Sequence, residues 1–398
     1  MNKSLNYRHT MAASFIGYIT QAMTINFSPL LFVAFSRTFD ISLAKIGSLI
    51  TVNFCIQLTI DLLSAKFLDK IGYRAAAVAA HIFAATGFIL MGILPFQFEN
   101  HFIGILIPTV SMAVGGGLTE VIISPMVEAC PTKNKSASMS LLHSFYCWGQ
   151  VMVTLFSTLF FIFFGIENWK ILSFIWAIIP AFNAVYFCFV PIYNKTDYSE
   201  NTEANKPFKN KLFILLLVLM LCAGASEIAM SQWASTFAEV GLGVNKSTGD
   251  LLGPMMFAVL MGISRSFYAA FSEKIDLKKY IMLSALLCII SYILAAFSPI
   301  PLLSLCGCGL CGLSVGIMWP GVYSVATKTI PDMGTAMFAF LALAGDAGCT
   351  CGPTLVNIIA GSGENSLKTG FAFAIVFPLT LLAGISILRK VHTDEKTD

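Results

Sequence analysis

Residues 192–210 read IYNKTDYSENTEANKPFKN. Asp, Glu, Lys, Asn, Thr and Pro crowd this stretch and little in it is apolar, so it predicts a solvated linker. On both sides of it the sequence is built of long apolar runs. Of the 398 residues, 57% are hydrophobic and only 11% charged, a balance that no soluble globular protein of this length shows. Lipid must be the solvent, and the linker divides a membrane protein into residues 1–191 and 211–398.

Apolar runs between polar or Pro/Gly breaks place spans near 9–35, 45–68, 74–95, 101–129, 137–165 and 168–191. A second six lie near 211–239, 249–272, 279–298, 301–327, 334–360 and 368–389. Each is close to the roughly 20 residues that cross a bilayer. The polar start, MNKSLNYRHT, is expected to be a cytoplasmic tail, because no small-residue cleavage site follows the first apolar run. With both termini inside, inner segments collect eighteen Lys or Arg and outer loops five, Arg37, Lys45, Lys170, Lys246 and Lys368. Arg265 lies within a span. That bias predicts an N-in, C-in, multi-pass protein of the cell membrane. A net charge of +3 with basic residues near helix ends gives no nucleic-acid footprint.

The two halves resemble each other. DLLSAKFLDKI from Asp61 and RSFYAAFSEKI from Arg265 share Ala, Phe, an acid, Lys and Ile in register. Gly117-Leu118-Thr119 leads to Pro125 and Thr132-Lys133, and Gly312-Leu313-Ser314 leads with the same spacing to Pro320 and Thr327-Lys328. Polar landmarks in both matches, at offsets of 204 and 195 residues, predict an all-α fold of twelve transmembrane helices, as two pseudo-symmetric six-helix bundles.

Two six-helix halves with a basic inner loop after span two resemble the major facilitator superfamily (MFS), whose loop pattern is G-x-x-x-D-[RK]-x-G-[RK]-[RK]. Here Ala65 replaces the first Gly, while Asp69, Lys70, Gly72 and Arg74 fall in place. The resemblance implies that Asp69 caps a helix and that the basic residues latch an inner gate, with Glu273 and Lys274 repeating the pattern in the second half. An ordinary charged turn is the alternative. Asp61 and Arg265 lie two turns before these acids and read either as part of the gate or as paired structural charges.

Within the superfamily, GGGLTEVIISP from Gly115 to Pro125 is similar to the fucose/proton symporter branch, where a Gly-rich fourth helix carries an embedded Glu. Trp233–Ser235 and Gly352-Pro353 are similar in kind. Glu120 lies about ten residues from the inner end of span four, roughly 15 Å deep. A charge at that depth is expensive, so the carboxyl suits a proton carrier that alternates between neutral and ionised forms, although a paired or vestibule-facing Glu would look the same. The branch pairs this Glu with an acid on the first helix; here span one offers only the amides Gln21 and Asn26. Those amides suit a hydroxylated solute.

Other embedded polar residues extend the candidate list. Glu227, Gln232 and Trp233 on span seven suit a sugar, with indole stacking and polar groups for hydroxyls, or else mark an interfacial Trp beside an outward Glu. Asp346, within GDAGCTCGP, reads as a second coupling site or as the partner of a base. A histidine can accept a proton near neutral pH, so His143 reads as a proton acceptor or an interhelical hydrogen-bonding group.

Ten of eleven cysteines fall inside apolar runs, and Cys130 ends one, so no disulfide framework is expected. Cys306, Cys308 and Cys311, expected to face Cys349 and Cys351, lack zinc-module spacing and predict no metal. Walker, nucleophile-elbow and H-E-x-x-H motifs are missing, which argues against an ATP-driven pump or an enzyme. The expected function is alternating-access transport, by a monomer without cofactors, of a small polar solute such as a sugar or polyol, with H+ as the coupling ion. Alternatives are a proton-coupled exporter of amphipathic compounds, which 34 Phe and 17 Met could line, and, more distantly, a non-transporting solute sensor.

Overall fold

The computed structural model describes residues 5–132, 135–193, 210–271, 275–330, 334–361 and 366–394, without side chains at 64–67, 69, 135–137, 140, 269–270, 334–339, 366 and 390–394. Glu273 and Lys274, and the side chain of Asp69, therefore lie outside the described residues. No strand occurs among those described. The main helices are α1 (Tyr7–Phe39), α2 (Leu43–Ile71), α3 (Tyr73–Met91), α4 (His101–Ala129), α5 (Lys135–Phe164) and α6 (Trp169–Phe189). They continue as α7 (Lys211–Gly241), α8 (Lys246–Tyr268), α9 (Leu277–Phe297), α10 (Pro301–Thr329), α11 (Gly334–Ala360) and α12 (Leu367–Arg389). Eleven are long and apolar enough to cross a bilayer, and the twelfth, α11, spans 27 residues where span eleven is expected.

Local chemistry sets the helix boundaries. Asn6 and Asn210, 204 positions apart, open the first helix of each half by accepting the backbone N–H of Arg8 and of Leu212. Ser42, Asn245 and Asp276 cap α2, α8 and α9 in the same manner. Gly72 stands between α2 and α3 at φ 81, left-handed backbone that favours glycine, and so explains the glycine of the loop pattern. Pro29 opens a 3₁₀ turn at Ser28–Leu31 that interrupts α1. Single π turns at Phe237–Gly241 and Leu251–Met255 lie at the outer ends of α7 and α8.

The chain divides into two compact units, Met1–Tyr198 and Ser199–Asp398. In the first, α4 packs on α1, α2 and α3, α6 packs on α1 and α3, and α5 packs on α1. In the second, α10 packs on α7, α8 and α9, α12 packs on α7 and α9, and α11 packs on α7. The six pairings correspond one to one, which is how a six-helix repeat shows itself in packing. A matching detail lies at the helix ends. Arg74 Nη1 on α3 donates to the carbonyls of Phe187 and Cys188 at the end of α6, 2.8 and 2.7 Å away. Lys278 on α9, again 204 positions on, donates to Leu388 O of α12 at 3.1 Å. Arg74 satisfies carbonyls that α6 leaves without an intrahelical partner, whereas the helix of α12 runs on to Asp394 and Lys278 fastens α9 to α12 through a carbonyl inside it.

The glycine triplet explains how α4 packs on three helices at once. Successive helical residues turn by about 100°, so Gly115, Gly116 and Gly117 face different neighbours. A Cβ on Gly115 would stand 2.7 Å from the backbone of Ala80 and Ala84 on α3. One on Gly116 would meet side-chain atoms, Thr24 Oγ1 at 3.1 Å and Gln57 Nε2 at 3.7 Å, and one on Gly117 would meet Gln57 Cα at 3.1 Å. Small residues allow this approach, which in lipid is what drives helix association. Gly115→Ala should therefore cost about 1–3 kcal/mol of stability, the range for overpacking against atoms that cannot move. Gly116→Ala should cost less; equal melting temperatures for the two variants in detergent would contradict this packing.

Candidate functional site

In the first unit the polar side chains meet around Glu120. Gln21 Nε2 on α1 donates to Glu120 Oε2 at 3.0 Å. A carboxylate oxygen of Asp61, on α2, lies within 4.8 Å of one of Glu120. The acid absent from the first helix is thus supplied next to Glu120 by the second. Asp61, expected near an inner gate, lies instead beside Glu120. Two carboxyl groups this close repel if both are ionised, and a single shared proton relieves the repulsion.

Gln57, one turn before Asp61, sits beside Gly116, one turn before Glu120. Below them Tyr18 OH and Ser124 Oγ are 2.9 Å apart, and the Tyr18 ring meets His143 edge-on at 5.4 Å. His143 is exposed. Asn26 donates its Nδ2 to Ala22 O at 2.9 Å, within its own helix.

In the second unit the expected solute residues divide. Glu227 Oε2 pairs with Arg265 Nη2 at 3.5 Å, which joins a residue expected in the solute site to one expected at the gate. Trp233 is 2% exposed and its indole N–H donates to Pro353 O on α11 at 3.1 Å, so its polar edge fastens α7 to α11. Gln232 is buried beside it. Asp346 follows Gly345, whose face is covered by the ring of Trp319 on α10, and its carbonyl accepts from Thr350 Oγ1 at 3.0 Å. The thiols do not form the facing clusters expected. Cys311 Sγ stands 3.9 Å from Cys288 Sγ on α9, Cys349 packs beside Gly224 on α7, and Cys306 and Cys351 are exposed.

Two further polar centres went unread in the sequence. His81 is fully buried; its Nδ1 lies 2.8 Å from Ala77 O, and its Nε2 lies 2.8 Å from Asn183 Nδ2. A carbonyl only accepts, so Nδ1 carries the proton and Nε2 accepts from Asn183, which also donates to Ala13 O at 3.0 Å. This network ties α1, α3 and α6 together. In α8, buried Asp250 accepts from Ser235 Oγ at 2.5 Å and from Lys246 Nζ at 2.8 Å. The His81 centre had no sequence signal, since a single His in an apolar run shows its partners only after folding, whereas Lys246 and Asp250 stand at helical i,i+4 spacing and could have been paired from the sequence.

The model of the Major Facilitator Superfamily matches the sequence over residues 10–353 and, overlapping, 255–398. No curated protein matches the chain. Among solved structures, the fold is similar to the crystal structure of a bacterial homolog to human lysosomal transporter, Spinster, in an inward-facing and occupied conformation. That protein is 14% identical, with a TM-score of 0.65 over 96% of this chain and 93% of that one. At such identity the likeness is one of fold.

The Glu227–Arg265 pair yields a stability prediction. Removing one partner of a mostly buried pair leaves the other charge uncompensated, at a cost of about 3 kcal/mol or more, whereas replacing both can be nearly neutral. Arg265→Met should lower the melting temperature, and adding Glu227→Leu should restore most of the loss. Additive losses in the double variant would show that the two side chains do not form a pair.

Proposed function

We propose that this chain, which belongs to the Major Facilitator Superfamily, couples the movement of a small polar solute, a sugar or polyol, to that of a proton in the cell membrane. Membership of the superfamily makes it a multi-pass secondary transporter rather than an enzyme. The observation that carries the coupling is the hydrogen bond from Gln21 to Glu120, a carboxyl held well inside the 29-residue apolar span His101–Ala129. An amide donor favours the ionised carboxylate, and the surrounding hydrocarbon favours the protonated acid. The group is thereby balanced between two states that access to water can exchange. Alternating access then delivers that proton, together with the solute, from one side to the other.

Gln21 is at once the partner of Glu120 and an amide suited to sugar hydroxyls, so solute and proton share a residue. Glu227, held by Arg265, and Gln232 are the corresponding polar groups of the second unit, and Asp346 and His143 remain candidates for further proton steps. An exporter of amphipathic compounds would not need an amide and carboxyl cluster of this kind.

Uptake of radiolabelled hexoses and pentitols into proteoliposomes, with and without an inward acid gradient, tests the proposal. The gradient should drive accumulation in the parent, and Glu120→Gln should reduce it to the gradient-free level while leaving solute exchange at equal pH. Accumulation by Glu120→Gln that still follows the gradient would remove Glu120 from the mechanism. Dye extrusion without sugar uptake would favour the exporter.

A further inference from the structure

Beside Glu120 two buried amides are incompletely satisfied, and in complementary ways. Gln57 and Gln21 are each about 97% buried, with 3% of either residue exposed. Gln57 Nε2 and Gln21 Oε1 have no hydrogen-bond partner, whereas Gln21 Nε2 is committed to Glu120. Leaving a buried polar group unpaired costs about 1–3 kcal/mol, and native structures keep few such groups without a reason. One unpaired atom is a donor and the other an acceptor.

We propose that Gln57 and Gln21 form a hydroxyl-binding site for the transported solute, adjoining Glu120. The inference rests on the reading of the chain as a carrier of sugars or polyols and adds to it a residue, Gln57, that had no assigned role. A hydroxyl suits this pair because it donates one hydrogen, to Gln21 Oε1, and accepts another, from Gln57 Nε2. A carboxylate would satisfy only the donor and an ammonium only the acceptor. Either one hydroxyl or two on neighbouring carbons fills both roles.

The glycine triplet keeps side-chain bulk off this corner of α4. Gly116 presents no side chain to Gln57 Nε2 and Thr24 Oγ1, which stand 3.7 and 3.1 Å from where its Cβ would be. Thr24 Oγ1 donates its hydrogen to Gln21 O at 2.8 Å, so toward this corner it offers only acceptor lone pairs. Gln21 is the hinge of the arrangement. Its amide is planar, so holding Glu120 through Nε2 fixes the direction in which Oε1 faces the solute. Solute and proton then influence each other's binding through one side chain, and the influence is reciprocal.

The full chain in proteoliposomes tests this with the same hexoses and pentitols and their monodeoxy analogues. For a solute the parent carries, Gln57→Leu should raise KM about tenfold, the worth of one hydrogen bond near 1.4 kcal/mol, with kcat unchanged. Labelling of Glu120 by a hydrophobic carbodiimide, which needs a protonated carboxyl, should persist in that variant. Deleting the hydroxyl that Gln57 reads should cost the parent a similar factor and cost Gln57→Leu nothing further, the signature of direct contact in a double-mutant cycle. If Gln57→Leu lacks a cooperative melt, Gln57→Asn serves in its place, with the same cycle.

An unchanged KM, or deoxy analogues that weaken both proteins equally, would mean the amides hold only water and would overturn the proposal. A parent that moves none of these solutes would overturn it as well. If the cycle closes as expected but uptake ignores the acid gradient, the hydroxyl site stands and proton coupling falls. If coupling through Glu120 holds and the cycle fails, only the site is lost.

Discussion

A carboxyl group in hydrocarbon has few stable conditions: neutral, hydrogen-bonded, or paired with opposite charge. Glu120 meets that constraint with one amide and a nearby acid rather than with a base, and the surrounding structure follows from it. Gln21 must reach across from α1 and Asp61 must approach from α2. Both need α4 to be thin where they cross it. Gly115, Gly116 and Gly117 supply the thinness, each toward a different neighbour. Replacing the carboxyl by an apolar residue would remove the reason for the amides, and bulk at the glycines would remove the access.

The repeat makes the constraint easier to see. Positions 61 and 265 are equivalent in the sequence match, yet one carries an acid and the other a base. In the first unit the acid lies beside Glu120, so two like charges compete for one proton. In the second the base lies beside Glu227 and neutralises it. The packing plan, the opening Asn caps and the bases that fasten α3 to α6 and α9 to α12 are shared. One backbone design therefore serves a titratable centre in one half and a charge-compensated centre in the other. That division is why the proposed proton step is placed in the first unit.

The helices and their number were legible in the sequence because lipid imposes one requirement on every span, an apolar run of fixed length. Caps and the Gly72 turn were legible because they act within a few residues. Side-chain partnerships were not. Depth along a helix placed Asp61 and Arg265 near the inner surface, but depth says nothing about rotation, and rotation turned Asp61 toward Glu120 and Arg265 toward Glu227. Trp233 reads as a stacking platform or as an interfacial residue until Pro353 O is found beside its N–H. Gln57, His81 and Asn183 are lone polar residues in apolar runs, and their side chains meet groups from helices distant in sequence.

The account depends on Glu120 changing its protonation state when solute is carried. Infrared difference spectra of the protein, recorded as a transported hexose or pentitol is added across a range of pH, report this directly through the carbonyl stretch of a protonated carboxyl. The account predicts such a band that changes with solute, is lost in Glu120→Gln and is shifted in Asp61→Asn, the neighbour that shares the proton. A solute-dependent carboxyl band that survives unaltered in Glu120→Gln would place the proton elsewhere and contradict it.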